Sequence, residues 1–270
     1  MSDRHLKKTA VITGASAGIG AIYADRLAKR GYDLILVARN ETLLKALADR
    51  LVSETGRSVT VLVADLGDKA DLGGVETVLR TDPSIAMLVN NAGVGSAAPL
   101  LAANVDKMED MIQLNVVALT RLTYAAAPAF VARGSGTIIN IASTVAVGVE
   151  TLNGVYGATK AFVLALSHSL QHELGDKGVR VQAVLPGATA TAFWDVAGLP
   201  VANLPEGIVM SAENMVDAAL TGLDQGERVT IPALQDGDEW TRFEAARREI
   251  STRLSTDRPA PRYGVEARAA

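Results

Sequence analysis

The sequence predicts a doubly wound α/β fold, a parallel sheet of about seven strands with helices on both faces. Short runs rich in Val, Ile, Leu and Ala alternate with longer helical patterns along the 270 residues. The short runs are almost continuously apolar, which is typical of strands that are buried on both faces of a parallel sheet. Strands that alternate with helices imply right-handed crossovers, and these place helices on both faces.

Seven strands and six helices are predicted in alternation. The strands are TAVIT (9–13), DLILVA (33–38), SVTVLVA (58–64), IAMLVN (85–90), GTIINIA (136–142), VRVQAVL (179–185) and RVTIP (228–232). The helices cover residues 18–30, 41–54, 68–80, 105–132, 155–175 and 212–222. Glycines that favour helix ends, Gly31 and Gly56, close the first two helices. The second helix carries a stripe of leucines at helical spacing, formed by Leu43, Leu44, Leu47 and Leu51.

Two segments depart from this alternation. Residues 188–210 are rich in small residues, lack periodicity and follow the carboxyl end of a strand, where a lid over a ligand belongs. Residues 238–270 have the pattern of a polar helix and then a tail rich in Arg, Pro and Ala. No linker rich in Pro, Gly and Ser divides the chain, so we expect one domain over residues 1–270, with a lid and a C-terminal helix and tail.

The composition excludes several classes of chemistry. The chain has no cysteine, which excludes disulfides, thiolate catalysis and cysteine-ligated metals. His168 and His172 have the i, i+4 spacing of a helical zinc pair but lack the glutamate of an HExxH motif. We therefore interpret them as surface histidines and predict no metal site. The presence of only three histidines also gives little support to a Ser-His-Asp triad.

The net charge and the hydropathy of the chain limit the binding partners and the cellular compartment that we expect. The formal net charge is −4, so we expect neither nucleic acid nor an anionic membrane as a partner. The N-terminal residues MSDRHLKKTAVITG are polar and lead directly into the first strand, and no run of about 18 apolar residues follows. These features predict a cytoplasmic protein.

The turn after the first strand predicts a dinucleotide-binding site. The strand ends in TGASAGIG, residues 13–20, and a helix follows at once. Gly14 suits the tight turn, Gly18 allows the backbone to approach a diphosphate, and Gly20 allows the helix to pack on the strand. Backbone N–H groups and the helix N-terminus then form an anion site. This strand, glycine turn and helix are Rossmann-like.

The end of the second strand favours NADP(H) over NAD(H). An acidic residue at this position would bind the adenosine ribose and repel a 2′-phosphate. The strand ends in LVARN, so Ala38 occupies the acidic position and Arg39 follows. A guanidinium there can stack on adenine and pair with a 2′-phosphate. Ala17, by contrast, is not the second basic residue that often reinforces such binding, and NAD(H) remains the alternative.

Over residues 7–235 the sequence resembles the short-chain dehydrogenase/reductase family. Seven motifs occur in the family's order: TGxxxGIG (13–20), the aspartate of VADL at Asp65, NNAG (90–93), Asn115 in QLNVVA, Ser143 in NIAST, YxxxK from Tyr156 to Lys160, and PGxxxT from Pro186 to Thr191. The resemblance implies hydride transfer between a nicotinamide cofactor and a ketone or secondary alcohol.

The resemblance also implies the catalytic roles. Tyr156 would be the acid in reduction and the base in oxidation, although a free phenol has a pKa of about 10. Lys160, one helical turn on, would lower that pKa through its ammonium and hold the nicotinamide ribose. Ser143 would stabilise charge on the substrate oxygen. Asn115 is similar to the family residue that holds a water, which links Lys160 to solvent in a proton relay.

The same resemblance implies the remaining contacts with the cofactor. Asp65 and Leu66 would lie against the adenine, and the backbone after Pro186 would meet the carboxamide of the nicotinamide. The full set of cofactor-binding residues is Gly14, Ser16, Gly18, Ile19, Gly20, Arg39, Asp65, Leu66, Asn91, Ala92, Gly93, Tyr156, Lys160, Pro186, Gly187, Thr189 and Thr191.

A mostly apolar substrate pocket is predicted between Ser143 and Tyr156 and in the lid. Its walls are Val145, Val149, Glu150, Leu152 and Asn153, and the lid contributes Phe193, Trp194, Val196, Leu199 and Met210. This composition favours a hydrophobic or aromatic ketone, or the corresponding alcohol. We interpret Glu150 as a solvated carboxylate at the mouth; selection of a substrate hydroxyl or amine is the alternative.

The predicted protein is an NADP(H)-dependent carbonyl reductase or alcohol dehydrogenase, in the class of oxidoreductases EC 1.1.1.-. Helices 105–132 and 155–175 form subunit interfaces in the family, so a homodimer or homotetramer is expected. A non-catalytic NADP-binding regulator is an alternative, but such a protein would lose Ser143, Tyr156 or Lys160. An NAD-dependent epimerase or dehydratase shares YxxxK, but usually has a larger C-terminal domain than the roughly 80 residues that follow Gly187.

Overall fold

The computed structural model describes residues 8–265. Seven parallel strands form the main sheet, and two short strands form a second sheet. The strands are β1 (Thr9–Thr13), β2 (Asp33–Ala38), β3 (Val59–Val63), β4 (Ile85–Asn90), β5 (Gly136–Ile141), β6 (Val179–Val184), β7 (Thr189–Ala190), β8 (Met210–Ser211) and β9 (Val229–Thr230). The order in the main sheet is β3-β2-β1-β4-β5-β6-β9, which confirms the predicted fold class.

The helices begin and end close to the predicted positions. They are α1 (Gly18–Lys29), α2 (Glu41–Thr55), α3 (Lys69–Thr81), α4 (Val105–Ile112), α5 (Leu119–Ala132), α6 (Gly154–Leu174), α7 (Phe193–Ala197), α8 (Ala212–Gln225) and α9 (Gly237–Ser251). The predicted helix 105–132 is continuous, but its middle, Gln113–Ala118, is a π-helix that joins α4 to α5. A π-turn inserts an extra residue, which rotates the side chains before it relative to those after it.

The main sheet separates two hydrophobic cores. Helices α1, α2 and α8 cover one face, with Tyr23, Leu44 and Val216 among the buried residues. Helices α3, α5 and α6 cover the other face, with Leu79, Phe130 and Leu170. This arrangement buries the central strands on both sides, as their apolar sequences require.

The helical stretch Val105–Ala132 is long and apolar enough to cross a membrane by length and composition alone. In the structure its second half packs on the sheet, where Leu122, Ala126 and Phe130 are fully buried. Its apolar character is therefore explained by a core position.

Three details differ from the predictions. The edge strand β3 is only partly buried, and Val63 is 46% exposed, because β3 has a neighbouring strand on one side only. Leu43 is also 46% exposed, and the buried stripe of α2 is formed by Leu44, Ala48 and Leu51. The last strand of the main sheet is shorter than predicted, since only Val229 and Thr230 pair with β6.

The chain divides into two compact units, Met1–Ala233 and Leu234–Ala270. The second unit contains α9, whose N-cap Asp236 accepts a hydrogen bond from the backbone of Asp238, and a short 3₁₀-helix, Pro261–Tyr263. Residues 266–270 of the predicted tail lie outside the described residues. The single domain expected from the sequence stays a prediction.

The strand order creates a crevice between β1 and β4. These strands are neighbours in the sheet, yet the chain leaves β1 toward one edge and later returns to β4 to build the other. Ligands of open α/β sheets bind at the carboxyl ends of strands at such a switch point. The glycine turn after β1 and the Asn91–Gly93 segment after β4 lie at this crevice.

Candidate active site

The glycine turn after β1, residues 13–20, forms a concave surface that side chains at Gly14 and Gly20 would fill; we call it the glycine cradle. A Cβ on Gly14 would lie 2.8 Å from Asn91 Nδ2, and a Cβ on Gly20 would lie 2.3 Å from the Gly14 carbonyl oxygen. Gly14 also has a φ of 65°, in the left-handed region. Glycine is therefore required at both positions for a tight turn in which α1 approaches β1 closely.

The first turn of α1 has the features of an anion site. Its N-cap is Ala17, which has no side-chain oxygen to bond the first N–H groups of the helix. Gly18 has a φ of 54°, and its α-carbon faces the side chain of Thr191, since a Cβ there would lie 3.1 Å from Thr191 Cγ2. Ser16 and Ile19 are half-buried beside it. The turn, the open N–H groups and the close Thr191 fit a dinucleotide diphosphate.

Side-chain hydrogen bonds hold the carboxyl ends of β1 and β4 together. Thr13 Oγ1 donates to the Val89 carbonyl (3.2 Å) and accepts from the N–H groups of Asn91 (2.9 Å) and Ala92 (3.0 Å). Asn91 Nδ2 donates to the carbonyl oxygens of Thr13 (2.9 Å) and Gly14 (3.2 Å). Asn91 therefore fixes the shape of the glycine turn from the neighbouring strand.

The structure places Arg39 beside Asp65 at the ends of β2 and β3. Arg39 Nη1 lies 3.7 Å from Asp65 Oδ2, and the two side chains are 72% and 48% exposed. Such an exposed and loosely paired guanidinium contributes little to stability and remains free to bind a ligand phosphate. Leu66, the next residue after Asp65, is buried.

Ser143 lies between the predicted catalytic tyrosine and the segment after β6. Its hydroxyl donates to the Pro186 carbonyl (3.3 Å) and accepts from the backbone N–H of Val145 (3.3 Å). The Ser143 hydroxyl also lies close enough to the Tyr156 phenol to lower the pKa of that phenol. Beyond Pro186, Thr189 Oγ1 donates to the Gly187 carbonyl (3.1 Å), which shapes the approach to Thr191.

Tyr156 and Lys160 lie on one face of α6 and are both buried, with 5% and 6% exposure. Lys160 Nζ lies 5.9 Å from the centre of the Tyr156 ring and donates to the Ile141 carbonyl at 2.9 Å. The first turn of the helix is held by Asn153, whose Oδ1 accepts from the N–H groups of Val155 (2.9 Å) and Tyr156 (3.3 Å). The helix cap therefore sets the position of the phenol.

Burial is the largest influence on the pKa values of Tyr156 and Lys160. It raises the pKa of Tyr156 to about 12, against a smaller lowering by the hydrogen bond to Ser143. Burial also lowers the pKa of Lys160 to about 8. The sequence led us to expect a tyrosine pKa lowered by Lys160. The structure differs because both groups are removed from water and the ammonium bonds to a carbonyl instead of the phenol.

Asn115 lies in the π-helix and uses its side chain to hold neighbouring segments. Its Oδ1 accepts from the N–H of Val94 (3.0 Å), while Nδ2 donates to the Val94 carbonyl (2.9 Å) and to Thr159 Oγ1 (3.1 Å). A Cβ on Gly93 would lie 3.0 Å from Asn115 Oδ1 and 3.6 Å from Lys160 Nζ. Gly93 therefore allows Asn115 and Lys160 to approach each other. The proton relay through Asn115 stays a prediction.

The sequence profile of the family described as "short chain dehydrogenase" matches residues 8–198. The chain belongs to the short-chain dehydrogenase family. It is accordingly an oxidoreductase of alcohol or ketone groups that uses a nicotinamide cofactor.

Two solved structures are similar to this chain over almost its whole length. One is a short-chain dehydrogenase from Sphingobium yanoikuyae in complex with NADPH; it is 48% identical, the match covers 94% of this chain and 98% of that one, and the TM-score is 0.91. Another is the bulky-bulky ketone specific alcohol dehydrogenase from Comamonas testosteroni, 44% identical over 95% of this chain and 98% of that one, with a TM-score of 0.87. An uncharacterized oxidoreductase of Staphylococcus epidermidis is 32% identical over 83% of this chain and 94% of its own length.

The predicted pocket residues of this short-chain dehydrogenase divide into three groups. Val145, Leu152 and Phe193 lie with Tyr156 in one apolar cluster. Trp194 is buried and donates through Nε1 to the Thr189 carbonyl (2.9 Å), so it anchors the lid. Asn153 is likewise a helix cap, and Val149, Glu150 and Val196 are exposed, so these three do not line an enclosed pocket. For Trp194 and Asn153 the structure shows a positioning role, because their polar atoms bind the backbone.

The structure also brings to the site residues that sequence reasoning missed. The cluster around Tyr156 contains Met111, with Val94, Met108 and Val155 packed against it. Met108 and Met111 come from α4, VDKMEDMI, where their i, i+3 spacing indicates an apolar face of the helix. Gly95, which faces Phe193, had no comparable signal in the sequence.

Proposed function

We propose that this short-chain dehydrogenase is an NADPH-dependent reductase of hydrophobic ketones that also oxidises the matching secondary alcohols. One observation carries the proposal: buried Ser143, Tyr156 and Lys160 meet an apolar wall beside the glycine cradle. The NADPH complex of the similar Sphingobium yanoikuyae enzyme supports the cofactor, and the bulky-bulky ketone specificity of the Comamonas testosteroni enzyme supports the substrate class.

The cradle fits a dinucleotide, and the residues that would hold it follow from the geometry. The turn of Gly14, Gly18 and Gly20 would receive the diphosphate, and Arg39, which is 72% exposed at the end of β2, would bind the 2′-phosphate. Thr191 faces Gly18 and would lie between the diphosphate and the nicotinamide. The reduced nicotinamide, when bound, supplies the hydride.

Tyr156 would donate the proton that completes reduction. As the carbonyl carbon is reduced, the electron pair of the C=O π bond moves to oxygen, and Tyr156 Oη donates its proton there. Ser143 would donate a hydrogen bond to the same oxygen. The phenolate that remains is stabilised by the Lys160 ammonium and regains a proton from solvent. Since burial holds the pKa of Tyr156 near 12, the phenol rests protonated, which suits it to act as the acid in reduction.

Ketone reduction is expected to slow as pH rises through about 8, because Lys160 then loses its charge. The buried lysine has its pKa lowered, so the ammonium is present below pH 8 and absent above it. Tyr156, with a pKa of about 12, stays protonated across this window. The measurement is kcat/KM for a ketone at saturating NADPH between about pH 6 and about pH 10. A profile that stays flat to the alkaline end would contradict this role of Lys160.

The assembly is proposed to be a homodimer or homotetramer built on α4, α5 and α6. Four large apolar side chains of these helices are exposed: Val105 (76%), Tyr124 (69%), Ile112 (43%) and Phe162 (38%). An open pocket of about 320 Å³ lies between the same helices, lined by Ile112, Val116, Gly154, Val155, Ala158 and Thr159. The cytoplasmic location stays a prediction.

The test of the proposed function is a screen of ketones and secondary alcohols at the absorbance of reduced nicotinamide, with NADPH and NADH. Turnover is expected with hydrophobic ketones and NADPH, and weaker turnover with NADH. Absence of turnover for every ketone and alcohol, in a protein that binds NADPH, would refute the proposal.

A further inference from the structure

A glycine lies directly beneath the phenylalanine that borders the candidate substrate site. Gly95 is buried in the loop after β4, and a Cβ placed on it would lie 2.3 Å from Phe193 Cζ and 2.8 Å from Cε2. Its φ lies outside the left-handed region, so an alanine would meet no backbone strain there. A Cβ at position 95 would therefore have to displace the Phe193 ring.

Both ends of the lid helix α7 fix the position of this ring. Next to Phe193, the buried Trp194 donates through Nε1 to the Thr189 carbonyl at 2.9 Å. At the other end, the Ala197 carbonyl accepts a hydrogen bond of 2.9 Å from the N–H of Ala97, in the loop that contains Gly95. The rings of Phe193 and Trp194 also make an edge contact, with centres 5.5 Å apart and planes at 89°. The hydrogen bonds at the two ends of α7 thus hold the Phe193 ring against Gly95.

The loop that carries Gly95 is bonded to the catalytic helix as well. Asn153 Nδ2 donates to the Ala98 carbonyl at 2.6 Å, while its Oδ1 caps the turn that begins at Tyr156. The same loop therefore positions Phe193 and the phenol relative to each other. Their ring centres are 5.7 Å apart, and the planes are inclined by 44°.

We propose that Gly95 and Phe193 form a steric pair that sets the size of the ketone substituent accepted beside Tyr156. This inference rests on the proposed reductase function. A ketone with its oxygen at Tyr156 and Ser143 directs one substituent toward Phe193 and the apolar residues around it, which include Met108 and Val145. Because Gly95 has no side chain, the Phe193 ring lies directly against it. The position of the ring determines the volume left for that substituent.

The test compares a small and a bulky ketone, acetophenone and cyclohexyl phenyl ketone, through the ratio of their kcat/KM values (bulky over small). Phe193→Ala is expected to raise this ratio at least about fivefold, because the ring volume is removed. Gly95→Ala is expected to change the ratio by a similar factor in the parent protein, because the ring must move. In the Phe193→Ala protein the same Gly95→Ala change is expected to shift the ratio less than about twofold, because no ring remains to be displaced.

Leu101→Ala is the matched control, since Leu101 follows the loop that carries Gly95 and is 99% exposed. It is expected to leave the ratio unchanged. Equal effects of Gly95→Ala with and without Phe193, or an unchanged ratio in Phe193→Ala, would overturn the steric pair.

A binding measurement separates this inference from the proposed function. In a Trp240→Phe background Trp194 is the one remaining tryptophan, and its contact with Phe193 makes its fluorescence a report on ketones bound there. With NADP⁺ present, Phe193→Ala should change the ratio of the two ketone Kd values in the direction of the kcat/KM ratio. If ketones bind without turnover, the proposed function is wrong, but the ratio of the two ketone Kd values still tests the steric pair. If neither ketone quenches Trp194, the steric pair is refuted.

Discussion

Replacing Tyr156 with phenylalanine is expected to lower kcat for ketone reduction by about 10³-fold or more, while NADPH affinity stays within about threefold. The substitution removes the hydroxyl and keeps the ring. The ring packs 5.7 Å from Phe193, so the cluster around it should persist. Without the phenol the carbonyl oxygen keeps the hydrogen bond from Ser143 but loses the group proposed to transfer a proton to it, while Lys160 stays bonded to the Ile141 carbonyl.

The matched control is Tyr124→Phe, which makes the same chemical change on α5 at a side chain that is 69% exposed. Both variants are measured for kcat, for NADPH affinity by fluorescence titration, and for thermal unfolding. Tyr124→Phe should retain the parent kcat. If Tyr156→Phe kept more than about a tenth of the parent kcat, the assignment of Tyr156 as the acid would be wrong.

Arg39→Asp is expected to lower kcat/KM for NADPH by about 10²-fold and to change kcat/KM for NADH by less than about fivefold. Arg39 is 72% exposed and its distance of 3.7 Å to Asp65 is too long for a strong pair, so its removal costs the fold little. A 2′-phosphate would lose a bidentate partner and meet two carboxylates. The ribose hydroxyls of NADH would gain an acceptor at the strand end.

Two further variants test whether the charge of residue 39 causes the loss of kcat/KM for NADPH. Arg39→Ala removes the attraction without adding repulsion, so its loss for NADPH should be smaller than that of Arg39→Asp. Lys177→Asp makes the same change of charge just before β6, at the end of the sheet opposite the cofactor crevice, and should leave the NADPH to NADH ratio unchanged. An equal loss for both cofactors in Arg39→Asp would refute the specificity argument.

The elements of the fold could be predicted because their signals are local. The apolar runs of β1, β2 and β4 and the glycine ends of α1 and α2 identify strands and helices within a few residues. The exposed Leu43 and Val63 were not predicted, since exposure depends on which strand lies at the sheet edge and which side of α2 faces it. The π-helix at Gln113–Ala118 had no signal in its own sequence.

The sequence by itself determined the fold class and the family, and it predicted the residues of the site, because glycine turns and the spacing of Tyr156 and Lys160 act within one strand, turn or helix. Only the tertiary structure decided that burial raises the pKa of the phenol and that Phe193 is seated on Gly95. Burial and contact of this kind join residues about a hundred positions apart. They depend on strand order and on the path of the lid, which no local pattern encodes.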